Sequence, residues 1–159
     1  MQPSFKEIVE EIVTNHHSFL RRELPKVSEL LEALSRDCAD NESLGEAQQL
    51  YKKVRAKIET HLKDEETVLF PTGIALESGG VVPHSDMNIL ERLAEMEKEH
   101  DGCGNALTSL CQMIETLPQG ELREKVIDNI RSIQKDLDVH VEKENTRVHP
   151  MFLALHGQP

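Results

Sequence analysis

Apolar side chains recur at alternating steps of four and three residues in four successive segments, the spacing that lines one face of an α-helix. The first stripe runs Val13, His17, Leu20, Leu24, Val27, Leu31 and Leu34; the second runs Ala47, Tyr51, Val54, Ile58, His61, Glu65 and Val68. The third comprises Met96, His100, Cys103, Leu107, Leu110 and Ile114; the fourth comprises Val126, Ile130, Ile133, Leu137, His140, Glu144 and Val148. Turn-prone stretches separate them: residues 37–43 (DCADNES), a loop over residues 77–85 with Gly79, Gly80 and Pro83, and Pro118-Gln119-Gly120. Short connections favour antiparallel neighbours, so the expected fold is all-α, an antiparallel up-down-up-down four-helix bundle. One Tyr, four Phe and no Trp leave the core to aliphatic side chains, which suits helices better than a β-sandwich.

The expected boundaries follow from the stripes. The first helix extends from Phe5 to about Cys38, with Pro25 kinking it rather than ending it, because the stripe keeps its phase across the proline. The second stops at Pro71 and Gly73, and the third runs roughly from Asp86 to Thr116.

A chain of 159 residues fits one domain, residues 1–159, with a core that needs neither disulfides nor a structural metal. The formal net charge of −11 excludes nucleic acid and anionic membranes as partners, since both demand a basic face. Three cysteines without a C-x-x-C pair indicate neither a disulfide framework nor a zinc ribbon, and point to a reducing compartment. With no apolar leader and no membrane-length apolar run, a cytoplasmic protein is expected.

Four stripes each carry one inward histidine: His17, His61, His100 and His140. A lone stripe histidine reads as a hydrogen-bonded core residue; four at matching points call for a shared explanation. His61-x-x-x-Glu65 and His140-x-x-x-Glu144 each aim an imidazole and a carboxylate from the same helical face. A carboxylate is rarely buried unless it is paired or binds metal, and no Lys or Arg lies on those stripes near Glu65 or Glu144. Four imidazoles and two carboxylates exceed a closed tetrahedral zinc site and suit a pair of metals. The mixed nitrogen and oxygen set points to two iron ions, each with two histidines, bridged by Glu65, Glu144 and an oxo or hydroxo group. Such irons are about five-coordinate, leaving open positions for a small molecule; zinc or manganese can occupy similar sites.

Other candidates take secondary places. His16 is rotated about 100° from His17, and the stripe phase selects His17. Cys38 lies on the order of 30 Å from His17 along a continuous helix, too far to share its site. Cys103, one turn from His100, reads as a small buried residue with a redox thiol as the alternative, and Cys111 as buried only. His84 in the glycine-rich loop and His149 at the bundle end are expected at the surface. Glu99 is expected as a solvated charge, with a place beside an access route as the alternative.

The segments HLKDEETVLFP (61–71) and HVEKENTRVHP (140–150) agree at the His, the Glu and the closing Pro, which suggests a pseudo-repeat of helix pairs. With IVTNHHSFLRRELP around His17 and MEKEHDGCG around His100, they resemble the hemerythrin-like superfamily, most closely the di-iron domain of the repair-of-iron-centres family. The resemblance covers residues 12–150. It implies a bundle whose oxo-bridged di-iron centre uses His17, His61, His100 and His140, with Glu65 and Glu144 bridging. Oxygen-carrying hemerythrins have a further histidine four residues after the one matching His100; here that position is Gly104, which argues against simple dioxygen transport. Two departures from the repair family stand out: the cysteine-bearing N-terminal domain of full-length members is lacking, and His149 replaces the usual aromatic residue.

The resemblance implies a stress-response protein that reacts with nitric oxide or peroxide-type oxidants and supplies iron to damaged iron–sulfur proteins. The alternative is a module that senses or stores dioxygen or nitric oxide without turnover. Reduction of nitric oxide or peroxide is a third reading, so catalytic turnover is left open, and a metal bundle of purely structural role is the fourth.

Overall fold

The computed structural model describes residues 2–83 and 88–157, which form four helical rods and, among the described residues, no strand. The first rod joins Phe5–Ile12 to Ser18–Asp37 through a wide π turn at Val13–His17. The second joins Glu42–Asp64 to Phe70–Ser78 through a π turn at Glu65–Leu69. The third is the single helix Ile89–Glu115, and the fourth joins Glu121–Lys143 to His149–His156 through a π turn at Glu144–Val148.

Side chains satisfy the first free amides of three rods. Ser4 and Glu7 form a reciprocal capping box, the Ser4 hydroxyl accepting from the Glu7 amide at 3.1 Å and the Glu7 carboxylate from the Ser4 amide at 3.2 Å. Asn41 accepts from the Leu44 amide and Asn88 from the Glu91 amide, each at 3.1 Å. Gly79, in the left-handed region at φ 74°, closes the second rod.

The first rod packs on the second and fourth, and the third rod packs on the same two. Phe5–Ile12, at the start of the first rod, lies against Phe70–Ser78, at the end of the second, which in turn meets His149–His156 at the end of the fourth. Chain direction therefore alternates, as in the expected bundle. Pro25 lies inside Ser18–Asp37 without ending it. The Tyr51 hydroxyl donates to the neighbouring Leu24 carbonyl at 2.6 Å, tying the first two rods together.

The core divides into two apolar clusters. The larger takes Leu20 to Leu34, Leu44 to Leu62, Cys103 to Leu117 and Val126 to Ile133; the smaller takes Phe5 to Ile12, Leu69, Phe70, Ile89 to Met96, Val148 and Phe152. Along every rod the inward histidine falls near the boundary between the two. The sequence order alone places a polar layer across the bundle at that height.

Two expectations are corrected, and a third falls partly outside the described residues. The second rod does not stop at Pro71 and Gly73 but continues to Ser78, because Pro71 stands in the first turn of a new α segment, where a missing amide costs least. The third rod begins at Ile89, while the expected start at Asp86 and residue His84 lie outside the described residues. Val13 and Val68 were placed on buried stripes but are only half-buried, with Ile12, Leu69 and Phe70 taking the inward positions. Each π turn adds a residue to a turn and shifts the buried face by one.

Candidate metal centre

Backbone and side chain together open the wide turns. The Phe70 amide donates to the Glu65 carbonyl and the His149 amide to the Glu144 carbonyl, five residues back rather than four. Thr67 donates its hydroxyl to the Lys63 carbonyl and Thr146 to the Glu142 carbonyl, both at 2.7 Å, competing with the α ladder at equivalent points. Pro71 and Pro150 follow, each lacking an amide to restore it. His17, Glu65 and Glu144 thus all belong to π turns, a local geometry frequent at functional sites.

All six residues singled out in the sequence meet in one buried cluster. His17, Glu65, His140 and Glu144 offer donor atoms within 4.8 Å of one another, and His61, His100 and Glu144 form a second such group. His17 Nε2 faces His140 Nε2 at 3.3 Å, and His61 Nε2 faces His100 Nε2 at 2.6 Å. Glu65 Oε1 stands 3.1 Å from His61 Nε2 and 3.5 Å from both His17 Nε2 and His140 Nε2. Glu144 Oε2 stands 3.3 Å from His100 Nε2, and Glu144 Oε1 is in close contact with His140. Each carboxylate therefore touches histidines of both pairs.

The two glutamates are fully buried, and none of their four oxygens has an aligned hydrogen-bond donor. Among the described residues, every charged partner within 4.0 Å of either is a histidine. Buried carboxylates left this way are costly, and a cation between them removes the cost. The donor set therefore fits metal.

The electrostatics say the same. Burial raises the Glu65 carboxyl, but close contacts with Glu144, His140, His17 and His61 outweigh it and hold Glu65 well below the ordinary range. Glu144 is driven well above that range by burial and by the negative charge of Glu65. Burial lowers His140, but the Glu144 and Glu65 carboxylates more than offset this and raise it to about 10. His100 is lowered to about 3 by burial and by the charge of His61. Protons thus hold the cluster together where cations can replace them.

Polar residues outside the donor layer hold the rings. Glu66 Oε2 is 3.6 Å from His17 Nδ1 and is paired with Arg21; the sequence reading passed over it, although it adjoins Glu65. Glu99 Oε2 is 3.5 Å from His61 Nδ1 and its other oxygen accepts from Arg92 at 3.1 Å. Glu99 is therefore not simply solvated. It borders a cavity of about 480 Å³ that His61, His100, Cys103, Gly104 and Leu137 also line, which agrees with its alternative place beside an access route. Cys103 and Cys111 are buried and their thiols are pushed up by burial, while Cys38 lies beside the 118–120 turn, away from the cluster.

One placement is overturned. His149, expected at the surface, is buried at 4% exposure, because the π turn at Glu144–Val148 swings the following residue inward. Five-residue spacing from Glu144 was the available signal, hidden as long as the helix was counted in steps of three and four. His16 is also buried, yet it stands outside both donor groups.

No helix of the described residues is long and apolar enough to cross a membrane. No curated protein is similar enough to the chain to be counted as a relative. Residues 9–152 match the hemerythrin HHE cation-binding domain, a span that reaches into all four rods and contains the whole histidine and glutamate layer, and the chain belongs to that family of metal-binding bundles.

Proposed function

We propose that this chain is a non-haem di-iron protein of the nitrosative and oxidative stress response, reacting with nitric oxide or oxidants and supplying iron for iron–sulfur cluster repair. The observation that carries the reading is the sharing of two buried carboxylates between two histidine pairs, beside a cavity that reaches one pair. His17 and His140 would hold one ion and His61 and His100 the other, with Glu65 and Glu144 available to both. Iron bound there supplies a redox-active pair that binds nitric oxide, dioxygen or peroxide.

The residues have separate tasks. Glu65 and Glu144 offset the cationic charge inside an apolar bundle that would otherwise reject it. Glu99 takes the outward nitrogen of His61, which leaves the inward nitrogen as a donor, and the Glu66 carboxylate lies 3.6 Å from the outward nitrogen of His17 without hydrogen-bonding it. Gly104 lines the cavity, and a Cβ there would meet nothing within 4 Å, so small molecules have room near His61 and His100. Damaged iron–sulfur proteins in the cytoplasm are the proposed acceptors.

Anaerobic iron loading, metal analysis, a visible spectrum and then addition of nitric oxide test the reading. Two irons per chain, a spectrum that responds to nitric oxide, and iron that passes to a chelator or an apo-acceptor support it. Zinc alone, or no metal after loading, points to the structural role and removes it.

The complete burial of His17, Glu65 and Glu144 favours a second reading, a module that binds or senses dioxygen or nitric oxide and keeps its metal. Repeated gas cycles with reversible spectra and no loss of iron select it over iron supply. Sustained product formation with a reductant selects turnover instead.

A further inference from the structure

We infer that His149 is a fifth histidine of the centre, ligating through Nε2 the ion held by His61 and His100. This rests on the di-iron reading above and adds to it an inequality between the two metal positions.

His149 Nε2 is buried, has no hydrogen-bond partner, and lies 4.0 Å from Glu144 Oε2. Two donors on one ion are separated by at most about twice a metal–donor bond of roughly 2.0–2.2 Å, so that spacing lies within the reach of a shared ion. His149 stands outside the compact group of His61, His100 and Glu144, whose donors lie within 4.8 Å of one another, so its Nε2 must move inward to share their ion, and it lies within electrostatic reach of His100 and His61. On the far side of the ring, Nδ1 is 3.3 Å from Glu97 Oε1. A carboxylate on one imidazole nitrogen is the arrangement that fixes a ligating ring, since it holds the proton on Nδ1 and leaves Nε2 as the donor.

The pseudo-repeat supplies an internal control. Phe70 and His149 occupy equivalent places, each directly before a proline, each with its amide bonded to the carbonyl of a bridging glutamate. Phe70 stacks on His17, with ring centroids 5.9 Å apart and planes 18° from parallel, so it covers that histidine with a ring that cannot ligate. His149 puts an imidazole at the equivalent chain position, with Nε2 4.0 Å from Glu144 Oε2. Counting His61, His100, both carboxylates and a bridging oxygen, that ion is one donor short of octahedral, and His149 supplies it. A small molecule reaching the ion from the cavity then competes with His149 for the sixth position.

The test compares the iron-loaded parent with H149F, which restores the ring shape found at Phe70, and with E97Q, a change at an exposed side chain. Iron content and helical circular dichroism establish that each variant is loaded and folded. The imidazole contribution to the iron X-ray absorption is expected to fall in H149F, the two ferric Mössbauer doublets to converge, and azide to bind at least severalfold more tightly. E97Q is expected to move the doublets in the same direction by less. Loaded and folded variants with the parent's imidazole count, doublets and azide affinity overturn the assignment and leave the di-iron reading intact. A parent that takes up no iron overturns both.

Discussion

The ring of His16 stacks on that of His140, with centroids 5.5 Å apart and planes 2° from parallel. Asp136 Oδ1 is 2.9 Å from His16 Nδ1, and Lys143 donates to His16 Nε2 at 2.9 Å, so both ring nitrogens are occupied and the ring is a fixed wall against a proposed metal donor. H16A is expected to keep the helix content and to speed removal of iron by a chelator by up to about tenfold, the low end for residues that orient a ligand. Equal release rates in parent and variant would show that the stack orients nothing.

Burial and the negative charge of Glu65 favour the protonated form of Glu144, which an amide resembles, so an amide in its place changes the empty bundle little but cannot bridge cations. E144Q is expected to leave the melting temperature of the metal-free protein nearly unchanged while the iron content falls. E144A, which also opens a cavity, should lower both. Unchanged iron in both variants would remove Glu144 from the donor set.

Without metal, stability should fall on the alkaline side. His140 has its folded value raised from 6.5 to about 10, so the stabilisation it contributes is complete below 6.5 and is lost as pH rises from 6.5 towards 10. Glu144, also raised, has the same sign from its ordinary value upward. Iron replaces those protons, so the loaded protein should show a much flatter melting temperature between pH 6.5 and 10. Parallel curves for loaded and stripped protein would contradict the proton-for-metal exchange.

Gly73 packs against Phe5, where the first and second rods cross. A Cβ on Gly73 would lie 2.2 Å from the Phe5 ring, so G73A is expected to destabilise by about 1–3 kcal/mol. Gly102 is the contrasting helical glycine, with nothing within 4 Å of an added Cβ, and G102A should stabilise by about 1 kcal/mol. Urea denaturation of the two variants reads both signs; a neutral G73A would mean that Phe5 can move aside.

The sequence by itself determined four amphipathic rods, their antiparallel order and the six side chains that face inward at one height, because helical periodicity and the avoidance of buried charge are local rules. Leu20, Leu24 and Leu31 had to face a core, and Glu65 and Glu144 among such residues had to have a reason. Only the tertiary structure decided that His17 pairs with His140 and His61 with His100, since pairing depends on which rods become neighbours. It also fixed the π turns that Thr67, Thr146 and the prolines after them favour locally. A wide turn gives up favourable helix geometry for contacts made by other rods, and the resulting shift of one residue, invisible to a count in threes and fours, carried His149 from the expected surface into the core beside Glu144.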